Sequence, residues 1–163
     1  MGRLDGKVAI ITGAARGQGA VAAQTFAKEG ASLVISDILP EIEQTANEIP
    51  SAGARVECVQ ADTADKDGIQ TVVQKALSTF GRIDILYNNA GVILGKSFQD
   101  TTLEEWEQIL RIDLTGPFLM SQAVVPHMEK QQQGSIINIS STGGILGYPA
   151  MAAYGAAKGG LVN

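Results

Sequence analysis

The chain has 163 residues, 45% of them hydrophobic and 18% charged, with a formal net charge of −5 and a pI near 4.8. This composition is typical of one soluble globular domain, and the acidic balance without a Lys or Arg cluster argues against a nucleic-acid partner. No apolar run approaches the ~18 residues of a membrane span and the single Cys58 cannot form an internal disulfide, so we expect a cytoplasmic protein without a membrane partner.

Short β-branched runs alternate with helical patterns along the chain. The predicted strands cover residues 7–12, 32–37, 55–60, 83–87 and 135–140, and the predicted helices cover 17–29, 40–50, 65–80, 103–130 and 151–163. Several strands are apolar almost throughout, which suits a parallel sheet covered on both faces. The alternation predicts a doubly wound α/β fold with right-handed crossovers.

Residues typical of helix ends and helix starts mark several of the predicted helix boundaries. Gly30 and Gly81 stand where two of the predicted helices end, as glycine often does after the last helical turn. Thr102 is a candidate N-cap for the longest helix, and Glu104 and Glu105 in its first turn complement the helix dipole.

Three glycines directly follow the first strand and open the first helix: Gly13, Gly17 and Gly19. Glycine permits a tight turn and the close approach of a pyrophosphate, whose charge is favoured at a helix N-terminus. A tight turn without a ligand is the alternative. The order of strand, loop, helix and second strand favours a dinucleotide site.

Asp37 ends the second strand, 24 residues after Gly13. This matches the acid that binds a ribose about 20 residues beyond the glycine loop, and its alternative role is to cap a turn. A carboxylate there accepts hydrogen bonds from ribose hydroxyls and repels a 2′-phosphate, so NAD is favoured over NADP. Arg16 in the loop favours NADP weakly, and we expect Asp37 to decide.

Four motifs stand in order along the chain. They are Thr12-Gly13-x-x-x-Gly17-x-Gly19, Asn88-Asn89-Ala90-Gly91, Ser141 and Tyr154-x-x-x-Lys158. Together they resemble the classical short-chain dehydrogenases/reductases. The resemblance implies a Rossmann-type sheet of order 3-2-1-4-5-6-7 with the cofactor at the reversal between the first and fourth strands. It also implies an oxidoreductase that moves a hydride between a nicotinamide and a secondary alcohol or ketone.

The resemblance implies that particular residues contact the cofactor. Asp62 and Thr63 would approach the adenine, and the turn after the fourth strand would line the cleft. The full expected set is Gly13, Arg16, Gly17, Gln18, Gly19, Asp37, Asp62, Thr63, Asn89, Ala90, Gly91, Tyr154 and Lys158.

Tyr154 is the candidate acid/base, because converting an alcohol to a carbonyl requires proton movement at its oxygen. Lys158 follows four positions later, on the same face if this segment is helical. An ammonium about 4 Å away would favour the phenolate by roughly 4 kcal/mol at an effective dielectric near 20. The resemblance gives Lys158 a contact with the nicotinamide ribose and gives Ser141 the role of orienting the substrate oxygen, a role for which Ser140 fits the spacing less well.

Asp113 departs from the family pattern, which has Asn at this place in the long helix. A carboxylate there would alter the charge of the proton relay. Pro117 cannot donate to the carbonyl four residues back, which is that of Asp113. We hypothesise that Asp113 contributes to catalysis through this free backbone carbonyl, and we expect the helix to kink at Pro117.

The chain stops five residues after Lys158. The resemblance places strands six and seven and the substrate-covering helices beyond this point, so we expect residues 1–163 to be a single NAD-binding domain that is incomplete at its C-terminus. The fifth strand would then be an exposed apolar edge. We expect these residues alone to be poorly stable and nearly inactive.

Other functions remain open on the sequence. A non-catalytic dinucleotide-binding remnant or interaction module is the main alternative, whereas an epimerase or dehydratase is disfavoured by the glycine spacing. Family resemblance suggests a homotetramer, and no metal is expected to be required. A small apolar alcohol or ketone is suggested by Ile93, Leu94, Ile145, Leu146, Tyr148, Pro149 and Met151.

Overall fold

A five-stranded parallel sheet forms the centre of the molecule, and the computed structural model describes residues 2–49 and 55–163. The strands are β1 (Val8–Thr12), β2 (Ser32–Asp37), β3 (Val56–Gln60), β4 (Ile85–Asn88) and β5 (Ser135–Asn138). They lie in the order β3-β2-β1-β4-β5, with every pairing parallel. The predicted doubly wound, Rossmann-type fold is confirmed, with the order reversing between β1 and β4.

Helices fill the connections between the strands. They are α1 (Gly17–Lys28), α2 (Ile42–Glu48), α3 (Lys66–Phe80), α4 (Leu103–Leu110), α5 (Gly116–Gln131) and α6 (Ala152–Gly160). The Asp65 carboxylate caps α3, and Thr102 with Glu105 forms a reciprocal capping box at α4. Pro50, the expected end of the second helix, lies outside the described residues.

The predicted helix over 103–130 is interrupted. A wider π-helical segment, Arg111–Thr115, joins α4 to α5, and the Gly116 N–H donates to the Arg111 oxygen five residues back. Pro117 falls in the first turn of α5, directly after this segment, and has no N–H to donate to the carbonyls of the preceding turn. The kink expected at Pro117 stays a prediction. A π turn directly precedes it, and π turns are frequent at functional sites.

Both faces of the sheet are apolar and covered. Ala9 and Ile11 of β1 pack with α1 and α2 on one face, while Ile10 between them packs with α3 and α5 on the other. All three side chains have no exposed area. Burial on both faces is the physical reason why the strands read as continuous rather than alternating hydrophobic runs.

A smaller cluster fixes α6. Ala153 and Ala157 pack against Ile109 of α4, which places α6 beside the long helix. The edge strand β5 is largely exposed, as expected, and Ile137 keeps 36% of its surface in contact with solvent.

Within 2–49 and 55–163, no helix has the length and apolar character that crossing a bilayer requires. The same residues contain no group of three or more His, Cys, Asp or Glu side chains that could hold a metal ion.

Candidate active site

The glycine loop lies at the carboxyl end of β1. Gly13 and Gly17 adopt φ of +65° and +58°, a left-handed region that glycine enters without penalty. Arg16 precedes α1 in an extended conformation, and the helix start has neither a side-chain cap nor an acidic residue in its first turn. The first N–H groups of α1 are thus left for another acceptor.

Close packing explains why two of the glycines cannot carry a side chain. A Cβ atom on Gly13 would lie 2.6 Å from the Ala90 Cα atom, and one on Gly19 would lie 2.2 Å from the Gly13 oxygen. A Cβ on Gly17 would meet nothing within 4 Å. Gly17 is therefore required for backbone conformation, and Gly19 for space.

Asn89 joins the turn after β4 to the glycine loop. Its side-chain amide donates to the Thr12 and Gly13 oxygens at 3.1 and 3.0 Å, and the Thr12 hydroxyl accepts from the Asn89 and Ala90 N–H groups at 3.1 Å each. These bonds hold β1 and β4 together at the point where the strand order reverses. Asn89 therefore shapes the cleft as well as lining it.

Asp37 faces the same cleft. Its carboxylate accepts hydrogen bonds from the N–H groups of Ala15 at 3.0 Å and Leu39 at 3.1 Å, which orients the two oxygens. Each carboxylate oxygen retains a free lone pair for a further donor. The turn-capping role and the ribose-binding role are thus compatible in one side chain.

A cleft of about 430 Å³ opens at the carboxyl ends of the strands. Nine of the expected cofactor contacts line it: Gly13, Arg16, Gln18, Asp37, Asp62, Thr63, Asn89, Ala90 and Gly91. Gly17 and Gly19 shape the loop without lining the cleft, and Tyr154 and Lys158 lie outside its lining. The cleft has the location at which doubly wound sheets bind ligands.

Arg111 was not identified from the sequence. Its guanidinium lies 3.0 Å from the Asp62 carboxylate and 3.4 Å from the Ala64 oxygen, at the rim of the cleft. Burial raises the pKa of Asp62, but the Ala64 N–H and the Arg111 cation outweigh it, so the pKa lies below its usual range. Nothing in the local sequence indicated Arg111, because the contact joins residues 49 positions apart.

Ser141 and Tyr154 both lie next to Gly143. The Ser141 hydroxyl accepts from the Gly143 N–H at 3.0 Å and caps a short 3₁₀ turn, Thr142–Gly144, that the sequence did not predict. A Cβ on Gly143 would lie 3.4 Å from the Ser141 Oγ atom and 3.5 Å from the Tyr154 ring. The Ser140 hydroxyl instead donates to the Lys158 backbone oxygen at 2.8 Å.

Lys158 is buried beside the Tyr154 ring, with its Nζ atom 5.7 Å from the ring centroid. The ammonium donates to the Ile139 oxygen at 2.9 Å and lies 3.3 Å from the Asp113 Oδ2 atom. Tyr154 and Lys158 lie on one face of α6, as their spacing of four residues predicts. The contact with the Asp113 carboxylate was not expected, since the sequence argument used its backbone.

Asp113 lies in the π segment and is completely buried. Its Oδ1 atom accepts from the Val92 N–H at 2.8 Å, while its Oδ2 atom makes an ion pair with Lys158 but no aligned hydrogen bond within the described residues. Burial raises the pKa of Asp113, and this effect exceeds the opposing effects of the Val92 N–H and the Lys158 ammonium.

A sequence model of the short chain dehydrogenase family matches residues 7–163. The chain belongs to the short-chain dehydrogenase family. In Thermotoga maritima, 3-oxoacyl-acyl-carrier-protein reductase FabG is 39% identical over 162 residues, which cover 99% of this chain and 66% of FabG.

Two solved structures superpose closely on the chain. One is a short chain dehydrogenase/reductase from Burkholderia phymatum in complex with NAD, with a TM-score of 0.94 and 32% identity over 99% of this chain and 58% of that one. Another is an NAD⁺-bound xylitol dehydrogenase, with a TM-score of 0.93 and 31% identity over 98% of this chain and 62% of that one. The chain thus spans about three fifths to two thirds of the length of these relatives.

Proposed function

We propose that this short-chain dehydrogenase is an NAD-dependent oxidoreductase acting on a secondary alcohol or ketone, with Tyr154 as acid/base. The observation that carries the proposal is the meeting of Ser141, Tyr154 and Lys158 at the same end of the sheet as the 430 Å³ cleft. A protein that only binds a dinucleotide has no need for these three groups.

The cleft fits a dinucleotide. The uncapped start of α1 suits a pyrophosphate, because its N–H groups and dipole favour an anion. At the far end, Asp37 would accept bonds from the ribose hydroxyls, and Asp62 and Thr63 would contact the adenine. The exposed Arg16 in the lining favours a 2′-phosphate, and Asp37 opposes it.

A bound nicotinamide would supply or accept the hydride. The chain's own residues handle the proton and the geometry. Tyr154 would exchange a proton with the substrate oxygen, and the Ser141 hydroxyl would donate to that oxygen and hold it in place. Lys158 would stabilise the phenolate, and its burial limits screening of its charge by water, although the Asp113 carboxylate 3.3 Å from its Nζ atom offsets part of that charge.

Two further features of the complete protein belong to the proposal. Ile93, Ile145 and Leu146 are exposed beside the site and would form an apolar wall for the substrate. Leu103 and Phe118 are more than 60% exposed on the long helix, which supports a homo-oligomer that buries this helix.

The test compares Tyr154→Phe with the unchanged protein, both at natural full length. Binding of NAD⁺ and NADP⁺ is measured by calorimetry, and NADH formation is followed on a panel of secondary alcohols. We expect NAD⁺ to bind more tightly than NADP⁺ and Tyr154→Phe to retain binding while losing turnover at least 100-fold. Turnover unaffected by Tyr154→Phe would disprove the catalytic role, and binding without turnover on any alcohol would favour a non-catalytic binding module.

A further inference from the structure

We propose that the buried Asp113 carboxylate shifts the cofactor preference of the site toward the oxidised, positively charged form of the nicotinamide dinucleotide. This inference rests on the proposed function. It adds a role for a carboxylate that the sequence argument had treated only as a departure from the usual Asn.

Burial raises the pKa of the Asp113 carboxyl, but the two groups that face it, an N–H donor and an ammonium, are partners that suit a carboxylate anion. Its Oδ1 atom accepts the Val92 N–H at 2.8 Å, and its Oδ2 atom faces the Lys158 ammonium at 3.3 Å. Both neighbours carry positive charge or a donated proton, and such contacts favour the ionised form of a carboxyl group. Because neither side chain of the ion pair is more than 5% exposed, water screens the pair very little.

Gly91 lies between this pair and the cleft. Gly91 is exposed and lines the cleft, and a Cβ atom placed on it would lie 2.9 Å from the Asp113 Oδ2 atom and 3.4 Å from the Lys158 Nζ atom. No side chain at position 91 stands between the two charges and the cleft. A charge bound near Gly91 therefore interacts with both across a thin wall of protein.

The sign of the effect follows from the local sum of charges. Asp113 and Lys158 together contribute zero net charge behind Gly91, whereas Asn at position 113 would leave the +1 of Lys158 uncompensated. Arg111 and Asp62 form an ion pair within the cleft lining itself, and this pair has no net charge. The nicotinamide ring is positive when oxidised and neutral when reduced, so the charge of Asp113 stabilises the oxidised form alone.

The experiment measures dissociation constants of NAD⁺ and NADH by calorimetry for the unchanged protein, Asp113→Asn and Asp113→Ser. The quantity compared is the ratio of the NADH constant to the NAD⁺ constant. Loss of one unit of buried charge is expected to lower this ratio about tenfold in both variants. A purely structural role for Asp113 would change both constants by the same factor and leave the ratio unchanged.

Glu57→Gln is the matched control. It also removes one negative charge from an ion pair, with Arg55 and Lys75 on and beside β3, but does so away from the cleft lining. Its ratio is expected to equal that of the unchanged protein. Thermal unfolding of each variant checks that it is folded at the temperature of the binding measurements.

The outcomes separate the two proposals. If the protein binds both dinucleotides and the ratio is the same in Asp113→Asn or Asp113→Ser as in the unchanged protein, this inference is overturned and the proposed function stands. If the unchanged protein binds neither dinucleotide, the proposed function is overturned and the inference with it. An equal fall of the ratio in Glu57→Gln would also overturn the inference, because net charge alone would then explain the effect.

Discussion

The Ser140 hydroxyl donates a hydrogen bond to the backbone oxygen of Lys158 at 2.8 Å, and thereby ties the segment after β5 to α6. The adjacent Ser141 hydroxyl caps the 3₁₀ turn and lies near the Tyr154 ring. Two neighbouring serines thus make separate contacts: Ser140 holds α6, and Ser141 caps the turn beside the Tyr154 ring.

Single alanine substitutions should distinguish the two serines. Both Ser140→Ala and Ser141→Ala remove one hydrogen bond of the folded protein, so each should lower the free energy of unfolding by about 1 kcal/mol. Ser141→Ala should in addition lower kcat about 100-fold, because a donor to the substrate oxygen is lost. Urea unfolding and steady-state kinetics check this. A larger loss of kcat in Ser140→Ala would reverse the assignment.

Gly13→Ala and Gly17→Ala form a matched pair, since both positions have positive φ. Gly17→Ala should lower the free energy of unfolding by about 1 kcal/mol, the penalty of a left-handed residue with a side chain. Gly13→Ala should cost about 3 kcal/mol, because its Cβ also meets the Ala90 backbone at 2.6 Å. Urea denaturation measures both, and equal losses would show that Ala90 moves away freely.

Asp84 should make stability depend on pH. It is buried at the start of β4, and although burial raises its pKa, hydrogen bonds from Arg82 and the Val8 N–H outweigh this and hold the pKa below its usual range. A depressed carboxyl pKa adds stability above the unfolded value of about 3.9 that is lost as pH falls through the folded value.

Asp84→Asn tests that expectation. The variant should lose about 3 kcal/mol of unfolding free energy at pH 7, since it leaves the Arg82 and Lys7 charges without their buried partner. The difference from the unchanged protein should shrink as the pH falls from about 4 toward the lower pKa of folded Asp84, because the unfolded chain binds its proton first. Urea unfolding at pH 7, 5 and 3 provides the measurement. A difference that stays constant over this range would show that the charge of Asp84 is not responsible.

Asp37→Asn should weaken the discrimination between NAD⁺ and NADP⁺. The amide keeps one oxygen for the Ala15 or Leu39 N–H but no longer repels a 2′-phosphate. The ratio of the NADP⁺ and NAD⁺ dissociation constants should fall about tenfold. Glu48→Gln, an exposed change on α2, should leave it unaltered. An unchanged ratio in Asp37→Asn would assign the preference to another residue.

Much of the fold could be predicted from local patterns. The strands were placed within about two residues because buried parallel strands are continuously apolar, and Asp65 and Thr102 mark helix starts by their capping chemistry. The π segment was missed, since the periodicity of a helix does not reveal one extra residue in a turn. The 3₁₀ turn after β5 was missed because its glycines read as an ordinary loop.

The dinucleotide-type fold, the glycine loop and the four-residue spacing of Tyr154 and Lys158 could be predicted from the residues alone, because short-range spacing and hydrophobic pattern set all of them. The ion pair of Lys158 with Asp113, the Arg111 contact with Asp62 and the different hydrogen bonds of Ser140 and Ser141 became visible only in the folded chain. These contacts join residues distant along the chain. Their partners depend on how helices pack against the sheet, and a buried charge takes whichever opposite charge that packing brings within reach.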